Sequence, residues 1–195
     1  TTGSGFPFVL GKLADLSKAD VVLVVGTDVT PESPPLGWKL MEAKENENFR
    51  LVLANPRKTK FDRYADLSVR YKPGSERVLI AGLIKFVLAE NPDWTPAIAA
   101  SGLDEFKESL KKLSPKEITT KTGVEDAVLK EVAALLARAK APAIVFGTEL
   151  LSQDKGQQTA LALADLFLLV GQPDSPGSAL YPVAEKNNSR GVCEV

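Results

Sequence analysis

The chain of 195 residues, 44% hydrophobic and 25% charged, is long enough for one large domain or two small ones with a core that needs no metal or disulfide. Its 24 basic and 25 acidic residues nearly cancel and are interspersed, which removes the electrostatic footprint of a nucleic-acid or anionic-membrane binder. With no histidine and a single cysteine, Cys193, the chain cannot close an internal disulfide or supply alone the ligands of a zinc site or an iron–sulfur cluster, and it reads as a protein of a reducing compartment.

In chain order, Val21-Val22-Leu23-Val24-Val25 is a short continuous apolar run that stops at Gly26-Thr27-Asp28, the pattern of a strand buried on both faces whose carboxyl end opens into a cleft. Residues 35–44 carry Leu36, Leu40, Met41 and Ala43 at helical spacing behind Pro34-Pro35, where a first helical turn accepts proline. Residues 51–54 give a second strand, ending at Asn55-Pro56-Arg57-Lys58-Thr59. Residues 67–71 alternate Leu67, Val69 and Tyr71 with Ser68 and Arg70, predicting a strand with one face less buried, broken by Pro73-Gly74. Ser75 is placed to cap a helix to about Glu90, with Val78, Leu79, Gly82, Leu83, Phe86 and Val87 on one stripe.

Residues 91–122 read as helical and polar, with short segments around 94–100 and 104–113. Val128, Leu129, Val132, Leu135, Leu136 and Ala139 then mark the buried face of a helix preceded by Gly123. Residues 143–146 are a further strand, ending at Gly147-Thr148-Glu149, and residues 157–170 its helix, with Gly171 at the position of a left-handed cap. The apolar stretch at 160–170 contains Asp165 and is far shorter than the roughly 20 residues a bilayer needs, so it predicts a buried helix.

Alternating strands and helices imply an α/β fold: a Rossmann-like doubly wound parallel sheet, or αβα sandwich. Residues 1–140 are expected to form this domain and residues 141–195 part of a second α/β unit. The start, Thr1-Thr2-Gly3-Ser4-Gly5, has no signal-peptide pattern, and both ends break off in mid-pattern, so a piece of a longer polypeptide is expected.

Four polar clusters stand at strand ends or helix starts. Gly26-Thr27-Asp28 lets backbone and a carboxylate approach a ribose or a base edge, although a strand-end glycine is equally a plain tight turn. Asn55-Pro56-Arg57-Lys58-Thr59 groups an amide, a guanidinium and a hydroxyl suited to phosphate or a guanine edge; the alternative is a solvated turn with Arg57 paired to Asp62 or Asp66. Lys72-Pro73-Gly74-Ser75-Glu76 offers backbone amides at a helix start, an anion site or ordinary punctuation. Gly147-Thr148-Glu149 repeats the logic of the first cluster, as a ligand with two nucleotide arms would require. Cys193, beside Glu194 and without a histidine base, reads as a small buried residue.

Taken in order, Ala19-Asp20 with the first strand and Gly26-Thr27-Asp28, Asn55-Pro56-Arg57-Lys58-Thr59, Ala65-Asp66, Lys72-Pro73-Gly74-Ser75-Glu76, Thr122-Gly123-Val124, Gly171-Gln172-Pro173 and Asn187-Asn188-Ser189-Arg190-Gly191 resemble the molybdopterin oxidoreductase family. That family includes formate dehydrogenases, nitrate reductases and the large iron–sulfur subunit of bacterial NADH:quinone oxidoreductase, the respiratory complex I. The resemblance implies a bis(molybdopterin guanine dinucleotide) cofactor, with Gly26, Asp28 and Glu32 at the strand end that takes one guanosine arm, Asn55 and Arg57 in the segment next to it, and Gly74 among the cofactor-binding residues. It places Gly147 and Glu149 on the opposite side, and Asn187 and Asn188 near the pterin.

Several positions depart from the formate dehydrogenase pattern: Ala184 where those enzymes carry arginine beside the metal, Asp28 for asparagine, and Asn55 for aspartate. The resemblance therefore leans to the large iron–sulfur subunit of complex I, an NADH dehydrogenase component for electron transfer, with this region mainly structural. No cofactor is then expected in this piece, and iron–sulfur clusters are expected in other parts of the full chain. A molybdenum or tungsten formate dehydrogenase is the alternative. Partners would be other subunits of a respiratory or formate-oxidising complex, in the cytoplasm and peripheral to the inner membrane through them, without nucleic acid or direct membrane insertion.

Overall fold

The computed structural model describes residues 10–91, 108, 110, 112–172 and 174–183. Five parallel strands form one sheet: β1 (Val21–Val25), β2 (Arg50–Ala54), β3 (Leu67–Val69), β4 (Pro142–Phe146) and β5 (Ala179–Pro182), in the spatial order β3-β2-β1-β4-β5. The helices are α1 (Val29–Glu32), α2 (Pro34–Ala43), α3 (Glu76–Glu90), α4 (Pro115–Thr122), α5 (Asp126–Arg138), α6 (Thr148–Leu151) and α7 (Gly156–Val170), with 3-10 turns at Leu13–Lys18 and Lys60–Tyr64.

The apolar strand runs have a physical reason. Successive side chains point to opposite faces, and both faces are covered. Val21, Leu23 and Val25 of β1, with Val52, Ile144 and Phe146, pack into one core with α3, α5 and α7. Val22 and Val24, with Leu51, Leu53, Ala143 and Val145, pack into the other with Leu16 and with Leu36 and Leu40 of α2. All five residues of β1 are buried, as the continuous run requires.

Some local expectations differ from the structure. The segment expected to open a second unit at residue 141 supplies β4, which pairs with β1 from Val21↔Pro142 to Val25↔Phe146, and β5 then pairs with β4. Residues 142–182 thus extend the first sheet. The sequence reading assigned no strand to β5, whose free edge is met by Leu10 through a bridge to Leu180. Ser75 stands at the start of α3, but its hydroxyl donates to the Lys72 carbonyl at 2.6 Å and caps no helix N–H. Gly171 is extended (φ −62°); a Cβ there would lie 2.7 Å from the Phe167 carbonyl oxygen, so crowding and not left-handed backbone calls for glycine. The left-handed glycine cap belongs to Gly123, at the end of α4 (φ 74°). Most of the short segments expected at 94–113 lie outside the described residues.

Candidate functional site

The strand order reverses direction between β1 and β4, and ligands of open α/β sheets gather in the crevice at the carboxyl ends of strands at such a point. Val25 is in register with Ala54 on one side and Phe146 on the other, so Gly26, Asn55 and Gly147 follow three adjacent strands at one level. Gly26 has φ +57°, a conformation that costs an L-residue with a Cβ roughly 1–2 kcal/mol, and this sharp turn sends Thr27 and Asp28 over the sheet edge.

On the β2 side the residues stitch the edge together. Asn55 is 3% exposed, its amide nitrogen donates to the Thr27 carbonyl at 3.3 Å, and its amide oxygen accepts from the Arg57 backbone N–H at 2.9 Å. An aspartate could make the second bond but not the first, because a carboxylate has no donor. The asparagine is thus committed to joining the ends of β1 and β2. Arg57 points across β1 and forms an ion pair with Glu149, past the end of β4; both side chains are substantially exposed. Glu149, with Asp28 and Glu32 acting at longer range, raises the arginine's pKa further. The expected alternative partners are engaged elsewhere, Asp62 by Arg70 and Asp66 by Lys44.

On the β4 side the crevice is filled by the protein's own side chains. Asp28 accepts from the Thr30 backbone N–H at 3.1 Å at the start of α1, and its own N–H donates to Glu32 Oε1 at 2.9 Å. The other Glu32 carboxylate oxygen lies 2.6 Å from where a Cβ on Gly147 would stand, and the Thr27 side chain crowds the same spot. Gly147 is therefore required by close approach.

Gly74 contributes its N–H to Glu76 Oε1 at 3.2 Å, and the same oxygen accepts from Gln153 Nε2 at 3.2 Å. The buried Glu76 carboxylate thus accepts from the turn before α3, which the sequence left open between an anion site and ordinary punctuation. Asn187 and Asn188, assigned to the pterin, and Cys193 lie outside the described residues.

Sequence reasoning missed Tyr71 and gave the Thr27 side chain no role. Thr27 Oγ1 and the Tyr71 hydroxyl are buried without a hydrogen-bond partner, in residues 4% and 3% exposed. The Tyr71 hydroxyl is 3.3 Å from the position of a Cβ on Gly26, beneath the β1 turn. Burial first, then the charges of Glu76 and Glu149, push its pKa well above the usual phenol range, so it acts as a donor. The sequence signal was there in Tyr71, but as one beat of an alternating pattern it read as core.

The edge thus presents the carboxylates of Asp28, Glu32 and Glu149 and the paired Arg57 guanidinium, while the Glu76 carboxylate and the unsatisfied Thr27 and Tyr71 hydroxyls are buried. Carboxylates accept from ribose hydroxyls and from the N–H groups of a guanine edge, whereas a pyrophosphate would meet net negative charge here. No group of three or more His, Cys, Asp or Glu side chains able to hold a metal occurs among the described residues. A cleft of about 380 Å³ opens at the opposite edge, lined by Asp20, Asn48, Arg50, Glu131 and Arg138; the Arg50 guanidinium is engaged by backbone carbonyls, Arg138 by Glu90, and Asp20 by the Lys140 and Ala141 N–H groups.

A parallel sheet with helices on both faces and turn-borne polar residues at its reversal point is a doubly wound α/β domain. The chain belongs to the molybdopterin oxidoreductase family, whose family model matches residues 4–191. It is 32% identical over 182 residues to the NADPH-Fe(3+) oxidoreductase subunit alpha of Geobacter sulfurreducens, covering 92% of this chain and 21% of that protein. It is 27% identical to Formate dehydrogenase H of Escherichia coli, over 93% of this chain and 26% of that protein. Identity to the F420-dependent formate dehydrogenase subunit alpha of Methanocaldococcus jannaschii is 24%, over 99% of this chain and 28% of that protein. The chain thus spans only 21% to 28% of the length of these curated relatives. Acetylene hydratase from Pelobacter acetylenicus shares the fold, with a TM-score of 0.66 at 18% identity, over 83% of this chain and 22% of that one.

Proposed function

We propose that this chain is one domain of a longer electron-transfer subunit, of the kind that forms the large iron–sulfur component of NADH:quinone oxidoreductase, in which the strand-end crevice persists mainly as scaffold. The observation that carries this reading is the filling of the crevice by the chain's own acids. Glu32 is seated against Gly147, and Glu149 holds the one guanidinium that could grip a phosphate. The relative named an NADPH-Fe(3+) oxidoreductase subunit supports a pyridine-nucleotide-linked assembly with further subunits. In this reading electrons pass through iron–sulfur clusters carried elsewhere in the polypeptide.

The family's dinucleotide cofactor fits part of this edge. Asp28, Glu32 and Glu149, with the unpartnered hydroxyls of Thr27 and Tyr71, suit the guanosine end; the pyrophosphate would need Arg57 released from Glu149. When bound, the cofactor supplies a pterin-held metal for redox chemistry, and this chain's part would be to orient its nucleoside. Relatives named formate dehydrogenase favour a second reading, a working formate dehydrogenase.

The test is to purify the whole native polypeptide with its partners, measure molybdenum and tungsten, and compare NADH-, NADPH- and formate-dependent dye reduction. The scaffold reading expects pyridine-nucleotide-dependent activity with far less than stoichiometric metal. Stoichiometric metal with formate-dependent dye reduction would replace it by the second reading.

A further inference from the structure

From Ala160 onward α7 (Gly156–Val170) carries a single polar side chain, Asp165, while its first turn exposes Gln157 and Gln158. Its inner face, Leu163, Ala164, Leu166, Phe167 and Val170, is buried in the core shared with α3. On the outer face Leu161 and Leu168 are 45% and 48% exposed, and Ala162 and Leu169 are only partly covered. Leu161, Asp165 and Leu168 are spaced i, i+4 and i+7, so they form one stripe down the helix. The other exposed large hydrophobics among the described residues, Leu13, Trp38 and Leu151, stand on other elements. A helix hydrophobic all round is one that a larger structure buries all round.

Asp165, in the middle of this stripe, is partly buried and makes no ion pair or hydrogen bond among the described residues; burial among apolar neighbours pushes its carboxyl pKa up. A desolvated carboxylate without a cation is a loss unless something supplies one.

We propose that the Leu161–Asp165–Leu168 stripe is a docking face for an apolar, helix-sized surface that carries one arginine or lysine against Asp165. The inference rests on the reading of this chain as one domain of a longer polypeptide, and it places the covering surface in the rest of that polypeptide. Two observations select this occupant. The curated relatives are several times longer than the stretch this chain matches, so proteins of this kind hold ample surface to lie over α7. Charge speaks against a second copy, because a twofold contact of this face with itself brings two Asp165 carboxylates together.

The experiment is peptide-resolved hydrogen exchange on α7 in the 195-residue chain and in the full polypeptide, each as wild type, Asp165→Asn and Leu161→Ser/Leu168→Ser. The wild-type helix exchanges more slowly in the full polypeptide. Asp165→Asn leaves exchange unchanged or slower in the chain alone, where it removes an uncompensated carboxylate, and speeds it in the full polypeptide, where a cation loses its partner. The double serine variant speeds exchange in the full polypeptide by on the order of tenfold and changes the chain alone much less. Equal α7 protection in both wild-type forms, or an Asp165→Asn effect of the same sign in both, overturns the proposal. So does a dimer of the isolated chain in sedimentation that Leu168→Glu dissolves, since the occupant is then a second copy. The exchange pattern does not depend on metal content or dye reduction, so this inference and the scaffold reading fail separately.

Discussion

The two flanks of β1 begin from the same sequence device, an apolar strand stopped by small and polar residues, and end in different states. On the β2 flank Asn55 spends both of its side-chain polar atoms on the scaffold, one on Thr27 and one on Arg57. On the β4 flank Gly147 is pressed by Thr27 and Glu32 and the Thr27 hydroxyl is left unsatisfied, as is the Tyr71 hydroxyl, which reaches the β1 turn from the chain just past β3. A buried polar group without a partner costs about 1–3 kcal/mol, so the first flank is finished structure and the second keeps open valences. A satisfied strand end is scaffold whatever its sequence resembles, and an unsatisfied one is where a ligand group or a water gains most.

The comparison breaks most readily at the crowded flank. Gly147→Ala forces a Cβ to within 2.6 Å of Glu32 Oε2 and still closer to Thr27, and urea denaturation is expected to show a loss of about 1–3 kcal/mol. A loss below about 0.5 kcal/mol, the size of a surface substitution, would mean that the crevice is looser than described.

Asn55→Asp tests the stitched flank. It removes the donor to the Thr27 carbonyl from a residue only 3% exposed, for an expected cost of about 1–3 kcal/mol at neutral pH. A carboxylate disfavoured by burial has a raised folded-state pKa, so the cost is complete above that pKa, fades as pH falls from it to the unfolded value, and is gone below that. Stability of the variant measured from neutral pH into acid should therefore converge on the wild type. A constant gap would assign the cost to something other than ionisation.

The smallest expected effect has the opposite sign. Tyr71→Phe deletes a buried hydroxyl that makes no hydrogen bond, so the chain should be as stable as wild type or up to about 1 kcal/mol more stable. A loss of more than about 1 kcal/mol would show that the hydroxyl is satisfied in solution, and the contrast between the flanks would shrink.

Much of the candidate edge was legible in the sequence. Continuous apolar runs of four or five residues ending at Gly26, Asn55 and Gly147 mark strands covered on both faces, because turn-forming residues stop them too early for a buried helix. The partners of the polar residues were not legible. Arg57 had nearby acids at 62 and 66 in sequence, yet it meets Glu149, 92 positions away, because parallel pairing sets the ends of β2 and β4 on either side of β1.

The sequence by itself determined the parallel α/β class, the strand ends that carry polar residues, and membership of the family, since periodicity and ordered motifs are local properties of the chain. Tertiary structure alone decided that residues 142–182 extend one sheet and do not open a second, that Asn55 serves the scaffold, that Glu32 and Glu149 fill the crevice, and that Tyr71 reaches beneath Gly26. The reason is physical. Hydrogen-bond satisfaction and close approach depend on which distant segments strand order and register bring together, and no local pattern records that choice.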